Sequence, residues 1–164
     1  MTTAGRASAR QATSVAGALE AYARRGVFRS FSRSQNSPTR AEFRFRWLLD
    51  LPFRVVWNDR SATLTFPDLL PDVEPRSLLG RGLRAFVKAR SSRSLPEHRR
   101  IDPARLTVTF SNRGGQVSLR LRIRRQQYEY GVKKAVQLVN EIFLSFLSAL
   151  HPEYLCRAFH LPEE

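Results

Sequence analysis

The densest run of chemistry-bearing residues is Glu97-His98-Arg99-Arg100-Ile101-Asp102, with two carboxylates, one imidazole and two guanidiniums within six residues. Such a set suits phosphate or carboxylate handling, because imidazole can pass a proton near neutral pH and guanidinium clamps an oxyanion. The same residues also make an ordinary solvated loop with local ion pairs, and Asp102-Pro103 is common turn chemistry. Arg99 and Arg100 are therefore candidate anion contacts, no residue is assigned as catalytic, and an enzyme centred on 97–102 stands as a third reading behind two binding functions. A second candidate is Asn112-Arg113-Gly114-Gly115, whose glycines could aim backbone N–H groups at an anion or simply close a β-turn.

The third candidate is a pattern. Arg44 and Arg46 alternate with Phe43, Phe45 and Trp47; Arg54 sits between Phe53 and Val55; Arg120, Arg122 and Arg124 alternate with Leu119, Leu121 and Ile123. In a strand, neighbouring side chains point to opposite faces, so these arginines are expected on one face of a sheet, with Arg105 a further candidate. Arginine stems can cover apolar surface with their heads in water, or the forks can recognise phosphate or carboxylate. The strand aromatics fall in the opposite register, which removes the stacking platform of single-strand nucleic-acid binders and leaves salt-sensitive backbone binding.

Other chemistry is thin. The sequence has no P-loop, no G-x-G-x-x-G, no G-x-S-x-G and no H-E-x-x-H. His98, His151 and His160 are too scattered for metal ligation, and a single cysteine, Cys156, excludes an internal disulfide and a cysteine zinc cage. Neither metal nor cofactor is expected.

Charge gives the context. The 164 residues hold 28 Lys+Arg against 14 Asp+Glu, a net +14. A GC-rich genome would explain arginine over lysine, but not the excess over acids. Residues 1–40 carry +6 and 76–125 carry +12, while 41–75 and 126–164 each carry −2. Concentrated positive charge favours an anionic partner: nucleic acid, anionic lipid or an acidic protein surface. No run approaches the ~20 apolar residues of a membrane span, and no apolar segment follows the N-terminal arm, so a cytoplasmic protein is the default expectation.

The elements that must position these groups follow from periodicity. A helix is expected over 10–25, a polar linker over 29–40, and strands over 42–49, 53–58 and 61–66. The proline-rich stretch 67–75 reads as irregular, and a helix follows with Leu78, Leu79, Leu83, Phe86 and Val87 on one stripe. Two strands then meet at Gly114-Gly115, and a long helix from Tyr128 to Leu150 precedes a short turn or helix. Asn140 and Glu141 interrupt the long helix, either as buried polar anchors or, as expected, towards its exposed side. Phe143, Leu144, Phe146 and Leu147 make its C-terminal half apolar nearly all round, which marks a helix that is either central or a dimer or partner interface, the interface being the expectation. The order α-β-β-β-α-β-β-α gives an α+β fold with one antiparallel sheet covered on one face by helices, residues 1–40 forming a basic arm and 41–164 the domain.

This element order, with the strand-to-helix passage of residues 116–150, resembles the type III secretion chaperone-like superfamily, including bacterial sensory-transduction-regulator domains. The resemblance spans about residues 10–150 and implies a small, often dimeric α+β domain without a catalytic site. Two functions from different classes follow as expectations. One is an adaptor- or chaperone-like protein engaging an acidic protein partner or a second copy of itself. The other is a sequence-tolerant nucleic-acid binder.

Overall fold

The computed structural model describes residues 15–162. The expected arm before residue 15, with the first residues of helix 10–25, lies outside the described residues. The chain is helical over 15–24 (α1), and Val15, Ala16 and Leu19 of that helix enter the core. Six strands follow: β1 (Arg29–Ser37), β2 (Arg40–Arg46), β3 (Pro52–Asn58), β4 (Thr63–Leu70), β5 (Leu106–Arg113) and β6 (Gln116–Ile123). They form one antiparallel sheet in the order β1-β2-β3-β4-β6-β5. Helix α2 (Leu78–Lys88) carries the chain from β4 across to β5, so that β6 returns between them. Helix α3 (Tyr128–Glu141) continues through a π-helical segment, Ile142–Leu147, into a last turn, and α4 (Pro152–Phe159) follows. The fold is α+β, with the helices packed on one side of the sheet.

Alternation separates the two faces. Phe43 lies opposite Val55, Phe45 opposite Phe53, Leu64 opposite Leu121 and Phe66 opposite Leu119, all buried. Rings fill this layer: Phe53 meets Phe143 edge-on at 5.6 Å and Trp57 meets Tyr128 at 5.8 Å. Helix α3 lies so close to β6 that a Cβ on Gly131 would fall 2.5 Å from the Ile123 side chain. A glycine there permits the approach at some cost in helix propensity.

Four expectations are corrected. Residues 29–40 are not a linker: β1 pairs with β2 from Arg29↔Arg46 to Ser37↔Arg40. It is an edge strand, exposed except around Phe31 and Ser37. Ladder hydrogen bonds do not require apolar side chains, and polar edges resist unwanted pairing. The irregular stretch begins later than expected, because β4 runs through Pro67 to Leu70; its register breaks between Phe66 and Leu70, where proline is tolerated. Leu78 does not share the buried stripe of α2 and is 74% exposed. Glu141 is buried rather than exposed, for a reason given below.

Candidate functional site

The alternating arginines share the open face, as their strand positions dictate, but their surroundings differ. Arg44 and Arg54 are direct cross-strand partners on β2 and β3. Glu42, two residues before Arg44 and so on the same face, receives both: the Arg54 Nε donates to its Oε1, and Arg44 approaches the same oxygen at 3.4 Å. Arg54 also reaches Asp68 at 3.2 Å. The Arg54 hydrogen bond outweighs the cost of burial and holds the Glu42 carboxyl below its ordinary value, while Glu42 in turn raises Arg54. Arg46 donates to the Asp50 carbonyl at 2.9 Å. Arg44 and Arg54 are thus paired with acids, whereas among the described residues Arg40 and Arg46 of the same half-face form no ion pair.

On β6 the register puts Arg120 between Thr65 of β4 and Thr109 of β5, and Arg122 between Thr63 and Thr107. Arg120, Arg122 and Arg124 are exposed, and among the described residues their guanidiniums form no ion pair or hydrogen bond. Their spacing along the strand, two residues or about 6.6 Å, sets three cations in a row. At the far end of β6, Arg122 and Arg124 line an open depression of about 510 Å³ with Arg60 and Arg125 from neighbouring turns.

Arg99, Arg100 and Arg105 lie elsewhere and are occupied. Glu141 accepts from Arg90 at 2.9 Å inside the protein, each side chain only 11% exposed, and Arg99 approaches the same carboxylate at 3.8 Å. A buried charge needs such a partner, which explains why Glu141 points inward. Arg100 donates to the Leu95 carbonyl, and Arg105 donates to Gln127 while lying 3.6 Å over the Tyr130 ring. The 97–102 loop is clamped from below: the buried Lys134 ammonium donates to the His98 carbonyl at 3.0 Å and to Gln137. Burial holds the Lys134 pKa below its ordinary value. Asp102 Oδ1 accepts from the Ala104 N–H, and Tyr130 accepts from the Asp102 N–H. Glu97 and His98 project into solvent, and the loop does not converge its acid, imidazole and guanidiniums on one point.

The Asn112 turn is occupied as well. Gly114 and Gly115 adopt φ of +58° and +94°, Asn112 Oδ1 accepts the Gly115 N–H, and Asn112 Nδ2 donates to Val73. The turn pins the 71–75 loop. Among the described residues no three His, Cys, Asp or Glu side chains cluster to hold a metal ion, and no helix is long and apolar enough to cross a membrane.

Comparison of the chain with protein-family models, with curated proteins and with solved structures finds no match.

The expected interface on the last helix is corrected. Phe143, Phe146 and Leu147 are buried in the protein's own core, and of the four only Leu144 is exposed. Phe143 packs between Phe53 of β3 and Phe159 of α4, and Phe146 meets Phe86 of α2 at 5.2 Å. Apolar residues on more than one face signal two partners, and here both are intramolecular. Sequence reasoning also missed the hydroxyls flanking Arg120 and Arg122. Thr63, Thr65, Thr107, Thr109, Ser111 and Ser118 alternate with apolar residues in the register of the arginines. Their period-two spacing is legible in the sequence beside that of the cations.

Proposed function

We propose that the chain is a non-enzymatic, adaptor- or chaperone-like binding protein that engages an acidic protein partner through the β4–β6–β5 half of its open sheet face. The observation that carries this reading is the row Arg120, Arg122 and Arg124, unneutralised beside a half-face on which Arg44 and Arg54 are paired with Glu42 and Asp68. Unspent guanidiniums facing water lose little on binding carboxylates and steer an anionic partner to the surface. An extended acidic segment repeats its side chains on one face at the same two-residue step as β6. Nucleic acid would meet the same cations, but the strand rings Phe43, Phe45, Trp57 and Phe66 are buried on the other face and offer no base a stacking surface.

The test is fluorescence anisotropy with labelled polyglutamate and a single-stranded oligonucleotide of equal charge, at ~50 and ~200 mM salt. Polyglutamate is expected to bind the wild-type protein more tightly than the oligonucleotide. The Arg120→Gln/Arg122→Gln/Arg124→Gln variant is expected to lose about 100-fold in affinity, taking roughly 1 kcal/mol per exposed contact. Arg44→Gln/Arg54→Gln is expected to change it less than about threefold. Tighter oligonucleotide binding, or equal losses in the two variants, would overturn the reading.

A further inference from the structure

On the same half-face, a pocket of about 390 Å³ opens between β4, β6 and β5. Its floor is the directly opposed pair Ser111 and Ser118. Arg120 stands one two-residue step to one side, flanked by Thr65 and Thr109, and Arg113 stands one step to the other, opposite Gln116. Each step is about 6.6 Å, so the two guanidiniums bracket the hydroxyl floor at a reach their side chains can close. No carboxylate lines the pocket. The hydroxyls of Thr65, Thr109, Ser111 and Ser118 make no side-chain hydrogen bond among the described residues, whereas Ser61 with Thr63, Ser77 with Gly80, and Ser92 with Ser94 are engaged. Four free hydroxyl donors, two free guanidiniums and a carboxamide thus converge from three strands on one concave spot.

We propose that this pocket receives a phosphoryl group carried on a serine or threonine of the acidic partner, with further acidic side chains of that segment lying along Arg122 and Arg124. The proposal rests on the binding function above and names its anchor. A planar carboxylate presents two oxygens in one plane, which one guanidinium fork satisfies. A phosphate monoester presents three acceptor oxygens in three dimensions and carries about −1.5 to −2 charge at pH 7, which suits a hydroxyl floor closed by two cations. The floor lies at the Ser118 position, so a phosphoryl group bound there aligns acids at the fourth and sixth positions beyond it with Arg122 and Arg124.

The test uses the full chain and short acetylated peptides in which one phosphoserine is followed, or in a second peptide preceded, by glutamates four and six residues away. Matched peptides carry serine or glutamate in place of phosphoserine. Isothermal titration is expected to show one phosphopeptide binding at least about tenfold more tightly than its serine and glutamate counterparts, with inorganic phosphate competing. Ser111→Ala/Ser118→Ala, which removes two half-buried hydroxyls that make no side-chain hydrogen bond among the described residues, is expected to erase that advantage and keep the weaker binding of the glutamate peptide. Arg122→Gln/Arg124→Gln is expected to weaken all the peptides together. Equal binding of phosphoserine and glutamate peptides, or an advantage that survives Ser111→Ala/Ser118→Ala, overturns the phosphoryl pocket and leaves the acidic-partner reading standing. Failure of every peptide to bind overturns both. An oligonucleotide of equal charge that displaces the phosphopeptide at lower concentration than inorganic phosphate and unlabelled phosphopeptide assigns the face to nucleic acid and also overturns the proposal.

Discussion

The open face of the sheet is two surfaces built from one sequence pattern. On β2 and β3, Arg44 and Arg54 lean on Glu42 and Asp68. On β6 arginines in the same alternation lie between threonines of β4 and β5 and keep their charge for solvent. What separates them is the identity of the cross-strand and i−2 neighbours. Alternation decides which way an arginine points; the residue beside it in the folded sheet decides whether it is paired or left free. Counting positive charge along the chain does not distinguish these states.

The strongest way to sharpen this comparison is to take the paired condition to its limit. Arg90 and Glu141 meet inside the protein, with Arg90 also 4.0 Å over the Phe86 ring. Removing one member leaves a buried charge uncompensated, so Glu141→Gln is expected to cost about 3 kcal/mol in urea unfolding, near the lower end of the range for broken buried pairs. Replacing both with apolar residues, as in Arg90→Met/Glu141→Leu, is expected to recover most of that loss. A loss below about 1 kcal/mol for the single variant would mean that Arg90 is solvated by other means and that the paired class is less distinct than the distances imply.

That contrast also explains what could be read in advance. The α+β class, the antiparallel sheet and the shared face of Arg44, Arg46, Arg54, Arg120, Arg122 and Arg124 follow from period-two alternation, a local property of the chain. Strand β1 was illegible because an edge strand is held by its backbone ladder to β2, and RSFSRSQNS carries no inward alternation beyond Phe31. The burial of Phe143, Phe146 and Leu147 was illegible because their covers, Phe86 and Phe159, come from separate helices. Arg99 and Arg100 looked available because nothing in Glu97–Asp102 reveals that Glu141 and the Leu95 carbonyl engage them. Local periodicity fixes faces; long-range pairing decides which groups on those faces remain free.

A smaller effect should come from converting one half-face into the other. Glu42→Gln removes the acid that Arg44 and Arg54 share. The substitution is expected to cost about 1 kcal/mol or less, since both arginines keep a solvated alternative. It should raise affinity for polyglutamate by roughly threefold to tenfold as the freed guanidiniums join the β6 row. The paired state is then shown to be what silences that half. An unchanged affinity with the same small loss of stability would mean that the geometry of β2 and β3, rather than charge pairing, keeps ligands away.

The smallest effect is the pH dependence that the same carboxylate imposes. Arg54 and Arg44 stabilise the charged form of Glu42, so its pKa in the folded protein lies below the ordinary 4.5. A depressed carboxylate contributes stability in full above its unfolded value and loses it as pH falls through the folded one. The stability difference between wild type and Glu42→Gln should therefore be constant from about pH 7 to 5 and shrink below about 4.5. Protonation also frees Arg44 and Arg54 without any substitution. Measured with a sulfated probe, which stays ionised in acid, wild-type affinity should climb towards that of Glu42→Gln over the same interval, while the affinity of the variant stays nearly flat. Convergence in both stability and binding ties the silent half-face to one ionised carboxylate. A stability difference that persists undiminished at low pH would instead trace the cost of the substitution to packing of the Glu42 stem, and the contrast between the two halves would then rest on shape.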